Sequence, residues 1–261
     1  MFTLNSADLE LMAAMFLFPL ARILAWLATD PLLGNRAVPV SIRIAAGVVL
    51  TMAVAPILPP IPQVALVSAQ GLMTLLQQMA IGMALGYSMR ILFAGIEFAG
   101  SIMGLQMGLS MATLYDPVNG AQTPVISQMV TVTATLILFA MNGHHLVITA
   151  LAQSFADIPI GATLTGAGFA MLAHWGGSLF SIGLQIALPV TAALITTNLS
   201  IGMMTRAAPQ LNIFAVGFPL TLSAGFIVLY LSLIYLPATL DRAWGLALSS
   251  GIKAMSGMVG R

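Results

Sequence analysis

The chain has 261 residues, 59% of them hydrophobic and 6% charged, with a net charge of +1 and no cysteine. A soluble domain carries about a quarter of its residues as charges, so a mean hydropathy of +1.03 marks an integral membrane protein, and the near-zero charge excludes an electrostatic nucleic-acid binder. The missing cysteines exclude disulfides, thiolate metal centres and thiol catalysis, and no polar region stands apart as a separate soluble domain.

A membrane span needs about 20 apolar residues. The first candidate runs from Leu9 to Thr29, is interrupted by Pro19 and Arg22, and ends at Asp30-Pro31 and Gly34-Asn35. Asp8 and Glu10 lead it in place of positive charge, so it is not read as a cleavable signal peptide. A second segment, Val40 to Leu58, carries Arg43 near its start and gives way to Pro59-Pro60-Ile61-Pro62, a rigid extended connector. The third, Val64 to Arg90, contains Gln70, Gln77 and Gln78, and its Gly82 and Gly86 lie four apart, a face on which another backbone can come close.

The stretch Gly95 to Pro124 then breaks the pattern. Gly100, Gly104 and Gly108 recur every fourth residue and form a strip without side chains; Met103, Met107 and Met111 form a parallel stripe. Tyr115-Asp116-Pro117 and Asn119-Gly120 follow, strong turn signals. The pattern predicts a shorter Gly/Met-rich helix broken into a polar loop. Such a loop is allowed at membrane depth only where protein or water surrounds it. On the residues alone, a seal and a plain connector both fit.

A fourth run, Val125 to Met141, is interrupted by Asn142-Gly143-His144-His145 before the apolar residues 146–155. A Gly-, Thr- and Pro-rich loop spans Asp157 to Gly168. Two last segments, Phe169 to Leu199 and Leu211 to Pro237, flank MMTRAAPQLN, and a weakly amphipathic tail follows Asp241. The fold class is therefore all-α: a multi-pass membrane protein of about six long segments plus the shorter broken helix. With the N-terminus outside, Arg36, Arg43, Arg90 and Arg206 fall on the cytoplasmic side. The tail, with Arg242, Lys253 and Arg261, disagrees with six full crossings, so one segment does not cross fully or the tail re-enters.

Polar groups are the informative exceptions in an apolar chain. Arg90 and Glu97, seven residues apart, share a helical face and suit either a salt bridge or a contact to another subunit. Arg206 reads as a cytoplasmic anchor or a further subunit contact. His144 and His145 are adjacent and so diverge on a helix, with no carboxylate near and no HExxH motif; no metal site is expected. His174 near Ser178 lacks a GxSxG elbow, and the surrounding glycines read as packing. A proton relay would need several buried carboxylates, and the apolar segments offer Glu97. No catalytic residue and no cofactor are expected.

Residues 104–117, GLQMGLSMATLYDP, followed by TPVISQ, FAMNGHHLVITALAQSF and RAAPQLNIFAVGFPL, resemble the FliR/SctT family. The R-x-x-P-Q-x-N and G-F-P elements, at Arg206 to Asn212 and Gly217 to Pro219, carry much of the likeness, which covers essentially the whole chain. The resemblance implies a non-enzymatic subunit of the type III protein export gate. Its partners would be FliP-like and FliQ-like subunits, FlhB-like and FlhA-like export components, lipid and unfolded secreted proteins. Its place would be the bacterial inner membrane at the flagellar basal body. A virulence-type injectisome is the alternative use, with a stand-alone transporter as a more distant one.

The resemblance further implies a FliP-like part, about 1–168, fused to a FliQ-like helical hairpin and tail, about 169–261. It places a pore plug at about 106–120, with Gln106, Met107, Leu109, Met111, Leu114 and Tyr115 as gate residues. Asp116, Pro117, Asn119 and Gly120 would shape the loop, and the strip of Gly100, Gly104 and Gly108 would mount it. Apolar side chains suit a constriction that excludes ions by dewetting.

Overall fold

The computed structural model describes residues 6–35, 37–59, 64–109, 125–163, 165–208 and 213–259, and among these the regular structure is helical. The helices are α1 (Ser6–Thr29), α2 (Val40–Val54), α3 (Ala69–Gln106), α4 (Val125–Ala140), α5 (Gly143–Asp157), α6 (Ala167–Gly176), α7 (Ser178–Ala207), α8 (Ile213–Ser232) and α9 (Leu236–Gly257). A 3-10 turn, Ala55–Ile57, extends α2. Four helical stretches are long and apolar enough to cross a membrane, or up to six if each of two bent pairs is one span. That range contains the six segments expected from hydropathy.

Three boundaries differ from the sequence expectation. The third segment and the Gly/Met-rich helix are one element, the 38-residue α3, about 57 Å long at 1.5 Å per residue. Residues 91–94 are Ile-Leu-Phe-Ala, which sustain a helix, and an isolated glycine such as Gly95 costs only about 1 kcal/mol. The segment from Phe169 runs further than Leu199: Ala167–Ala207 is one apolar stretch, marked only by a turn at Gly177 between α6 and α7, whose φ of −64° and ψ of −23° are themselves helical. The tail after Asp241 is helical, and α8 and α9 meet at a 66° bend. Such a bend suits a broken span or a re-entrant pair, the two explanations left open by the tail's positive charge. Between α4 and α5 the bend is 69°, made at Asn142, whose φ of 58° is a left-handed conformation that Asn tolerates better than most residues.

The chain forms two compact units. The first comprises residues 1–91, 142–176 and 244–261; the second comprises 92–141 and 177–243. Helix α3 thus gives its first part to one unit and its last part to the other.

In the first unit the fully buried Arg22 of α1 is the central polar group. Its Nε donates to Gln78 Oε1 of α3 at 2.9 Å. One terminal nitrogen donates to the Ser154 carbonyl at 2.8 Å and the Ser154 hydroxyl at 3.1 Å; the other donates to the Ile158 carbonyl at 2.9 Å. The guanidinium lies 4.2 Å from the centre of the Phe155 ring, a favourable cation–π distance. Ile158 is the C-cap of α5, and its own N–H already donates to the Ser154 carbonyl at 3.0 Å, so the cation adds a second donor to that carbonyl and reaches the Ile158 carbonyl at the helix end, where the dipole is negative. Four neutral acceptors thus replace the water that a buried charge loses.

Glycine lets the backbones approach closely enough for this. A Cβ at Gly82 would overlap the Arg22 carbonyl oxygen, and one at Gly86 would overlap the Thr29 hydroxyl and come 2.9 Å from the Trp26 carbonyl. The close-packing face read from Gly82 and Gly86 is therefore the α1–α3 contact. On α9, Gly251 rests against Leu85 and Ser88 of α3, and Gly168 of α6 meets Ala254 and Met258. Trp175 Nε1 donates to the Ser88 carbonyl at 3.0 Å. After α1, Asp30 accepts from the Leu32 and Leu33 amides at 2.9 Å each. Burial pushes its carboxyl above the ordinary range, and the Leu33 and Leu32 amides pull the other way.

In the second unit the last turns of α3 cross α4 at Gly100, where a Cβ would overlap Ser127 Cα. The Ser127 hydroxyl donates to the Glu97 carbonyl at 2.7 Å across the same crossing. Opposite, Gly183 of α7 admits Phe98, whose ring meets Phe180 edge-on at 5.4 Å. Elsewhere the chain leaves large apolar side chains exposed, among them Val49 and Met52 of α2 and Leu188, Ile195 and Leu199 of α7. Faces of this kind are stable against lipid or other helices rather than water.

Two outcomes follow from this packing. Arg22→Met should strand buried acceptors at about 1–3 kcal/mol each, and Arg22→Lys should fall well short of rescue because a point ammonium lacks the planar fork; thermal unfolding of the purified protein in detergent measures both. Gly100→Ala should cost about 1–3 kcal/mol through overpacking. Gly104→Ala, whose Cβ would meet Ile126 at an ordinary 3.6 Å, should stay within about 0.5 kcal/mol of the parent in the same assay.

Candidate functional site

The strip Gly100, Gly104 and Gly108 leads along α3 to the segment that the resemblance singles out, and the structure gives the three glycines different surroundings. Gly100 makes the backbone crossing with α4, while Gly104 has ordinary room beside Ile126. Gly108 lies beyond the helix, with φ 81°, a conformation that costs glycine nothing and an L side chain much more. Its N–H donates to the Leu105 carbonyl at 3.1 Å, and the Leu109 N–H donates to the Gly104 carbonyl at 3.1 Å. These paired bonds are a Schellman motif, which satisfies the last carbonyls of a helix while turning the chain out of it. Helix α3 is stopped at this point by Gly108.

The same turn is packed onto α8. Met107 is fully buried and lies over Gly225: a Cβ on that glycine would sit 2.7 Å from both Cγ and Cε of Met107 and 3.1 Å from its sulfur. The Phe218 ring lies beside Gly108, 3.4 Å from where a Cβ would be. One turn earlier, Met103 borders a cavity of about 110 Å3 with Val130, Ile186, Leu229 and Leu236. The end of α3 is thus held by α4, α7 and α8 within the second unit.

Of the gate residues expected from the sequence, Gln106 and Leu109 are half-buried and Met107 is buried. Met111, Leu114 and Tyr115, together with Asp116, Pro117, Asn119 and Gly120, lie outside the described residues. Arg90 and Glu97 are both exposed, and no ion pair engages either among the described residues. Arg206 is exposed in the last turn of α7, where a cation complements the helix dipole. The His144 and His145 rings contact each other at 4.2 Å. No group of three or more His, Asp or Glu side chains able to hold a metal occurs among the described residues.

Sequence reasoning missed Gly225 as the seat of Met107. Gly225 shares the apolar α8 with Gly217, eight residues earlier and with no glycine at the four-residue spacing between them, and nothing in its local pattern points more than 100 residues back along the chain. Arg22 was visible as a costly charge in an apolar segment, but its partners were not.

The chain matches the family described as "Bacterial export proteins, family 1" over residues 13–247. It is 42% identical to the flagellar biosynthetic protein FliR of Pectobacterium carotovorum subsp. carotovorum over 238 residues, 91% of each chain. Identity to the FliR of Escherichia coli (strain K12) is 41% over 212 residues, 81% of each chain. Against the FliR of Bacillus subtilis (strain 168) it is 32% over 218 residues, 82% of this chain and 84% of the relative. With the all-helical, multi-pass architecture, these matches make the chain a member of bacterial export protein family 1, the family of the flagellar FliR proteins.

Proposed function

We propose that the chain is a structural and gating subunit of the flagellar type III export gate in the bacterial inner membrane. In this reading it helps to form the pore for unfolded flagellar proteins, and the loop leaving α3 plugs the pore. The observation that carries the export role is the identity to FliR proteins over most of both chains. Their names favour flagellar use over an injectisome. A stand-alone transporter would need an internal repeat and a site near the bilayer midplane, and neither is visible in the sequence.

The packing supports a plug in a specific way. A loop that seals a pore needs a fixed base, and the end of α3 is stopped by Gly108 and seated on α8 by Met107. Met107 then belongs to the base of the plug, and the sealing side chains are those beyond it, with Met111, Leu114 and Tyr115 the foremost. Exposed Arg90, Glu97 and Arg206 serve as contacts to neighbouring subunits, because charges on apolar helices require a partner or water. No chemistry is assigned to the chain: energy for export comes from other components, and the division into FliP-like and FliQ-like parts is one of assembly rather than catalysis.

Purification of the chain from its native membrane should bring down FliP-like and FliQ-like subunits; recovery alone or as a self-oligomer would overturn the export-gate role. Deleting residues 110–120 should leave that assembly intact but raise the ion conductance of vesicles carrying the complex. An assembled deletion complex as tight as the parent would sink the plug assignment.

A further inference from the structure

We propose that Met107 and Gly225 form a knob-and-socket latch that fixes the C-terminal end of α3 on α8, and that this latch positions the base of the plug. Three observations on the described residues carry it. Met107 is fully buried although it belongs to the turn that leaves the helix. Its Cγ, Sδ and Cε all lie within 3.1 Å of the place a Gly225 Cβ would occupy, so the socket exists only because that position is glycine. The neighbouring Gly108 is the φ 81° pivot of the Schellman turn, so the residue after it is aimed by whatever holds Met107.

The latch is suited to release as well as to holding. Methionine is unbranched and adapts its shape, and its contact is dispersion alone, with no hydrogen bond to break. One turn away, the cavity bordered by Met103 and Leu229 leaves space into which side chains of the two helices can shift. Gly225 is thus a positioning residue, acting on the loop through Met107.

The functional half of the inference rests on the plug reading, and the experiment separates the two. The chain has no cysteine, so Leu109→Cys gives one nitroxide site within it. In the assembled complex, Gly225→Ala, which fills the socket, and Met107→Ala, which removes the knob, should each mobilise a label at 109. The unlatched population should rise about five- to thirty-fold, the range that a single buried contact commands. The double variant should add little to either single one, as residues in direct contact do. Gly202→Ala, at a glycine with nothing within 4 Å, should leave the label as it was. Vesicle conductance should rise in the same three variants. A label as immobile in both single variants as in the parent overturns the latch, whatever the conductance. A mobilised label with unchanged conductance, while deletion of 110–120 is leaky, overturns the latch's part in sealing. If that deletion is itself tight, the plug reading fails and the label alone decides the latch.

Discussion

A guanidinium cannot be left bare among apolar helices, and much of the first unit follows from how Arg22 is accommodated. The acceptors come from a Gln78 amide 56 residues away and from the end of α5, more than 130 residues away. All of them are neutral. The arrangement succeeds because the last carbonyls of a helix carry its negative pole, so the end of α5 offers acceptors to the group that needs them. The planar fork then fixes geometry as well as charge: α1, α3 and α5 have to be in register for all of these bonds to form together. Gly82 and Gly86 belong to the same constraint, because the guanidinium reaches Gln78 only when α1 and α3 lie backbone to backbone.

The second unit meets a different requirement by different means. Among the described residues no charge is buried there; α3 is held mainly by steric fit, with Gly100 against the Ser127 backbone and Met107 in the gap left by Gly225, and by one hydrogen bond, from the Ser127 hydroxyl to the Glu97 carbonyl. The steric contacts depend on shape and dispersion, so they can be undone and remade without stranding a polar group. A base for a moving loop is better served by them than by a network like that of Arg22, whose loss would take the donor from the buried Gln78 amide oxygen and the Ile158 carbonyl. The two parts of α3 therefore differ in character: one is pinned by the hydrogen bonds of a buried charge, and the end of the other, at Met107, is seated by fit.

The sequence revealed these devices unequally. Gly82 and Gly86 stood out because a four-residue glycine repeat has a direct packing meaning on a helix, and the contact with α1 is the one that meaning requires. The repeat at Gly100, Gly104 and Gly108 invited the same interpretation, yet its members crowd a backbone, sit in ordinary space and stop a helix, respectively. Spacing describes a face; it does not say which neighbour lies on it or where the helix ends. The continuity of α3 through residues 91–94 was likewise a matter of competing small terms. A glycine at 95 was absorbed within a packed helix, and at Gly177 the backbone likewise keeps near-helical dihedrals.

By itself the sequence determined that this is a helical membrane protein without disulfides or cysteine chemistry, because composition and apolar run length depend on no long-range contact. It also carried the family, through motifs spread over nearly the whole chain, and it marked Arg22, the glycine repeats and the methionine stripe as unusual. Only the tertiary structure decided which neutral acceptors receive Arg22, that α8 and α9 meet at a 66° bend, and that Met107 is seated on Gly225. Those outcomes depend on residues far apart in the chain meeting in space, and hydrophobic periodicity, which records one helix at a time, holds no information about the partner.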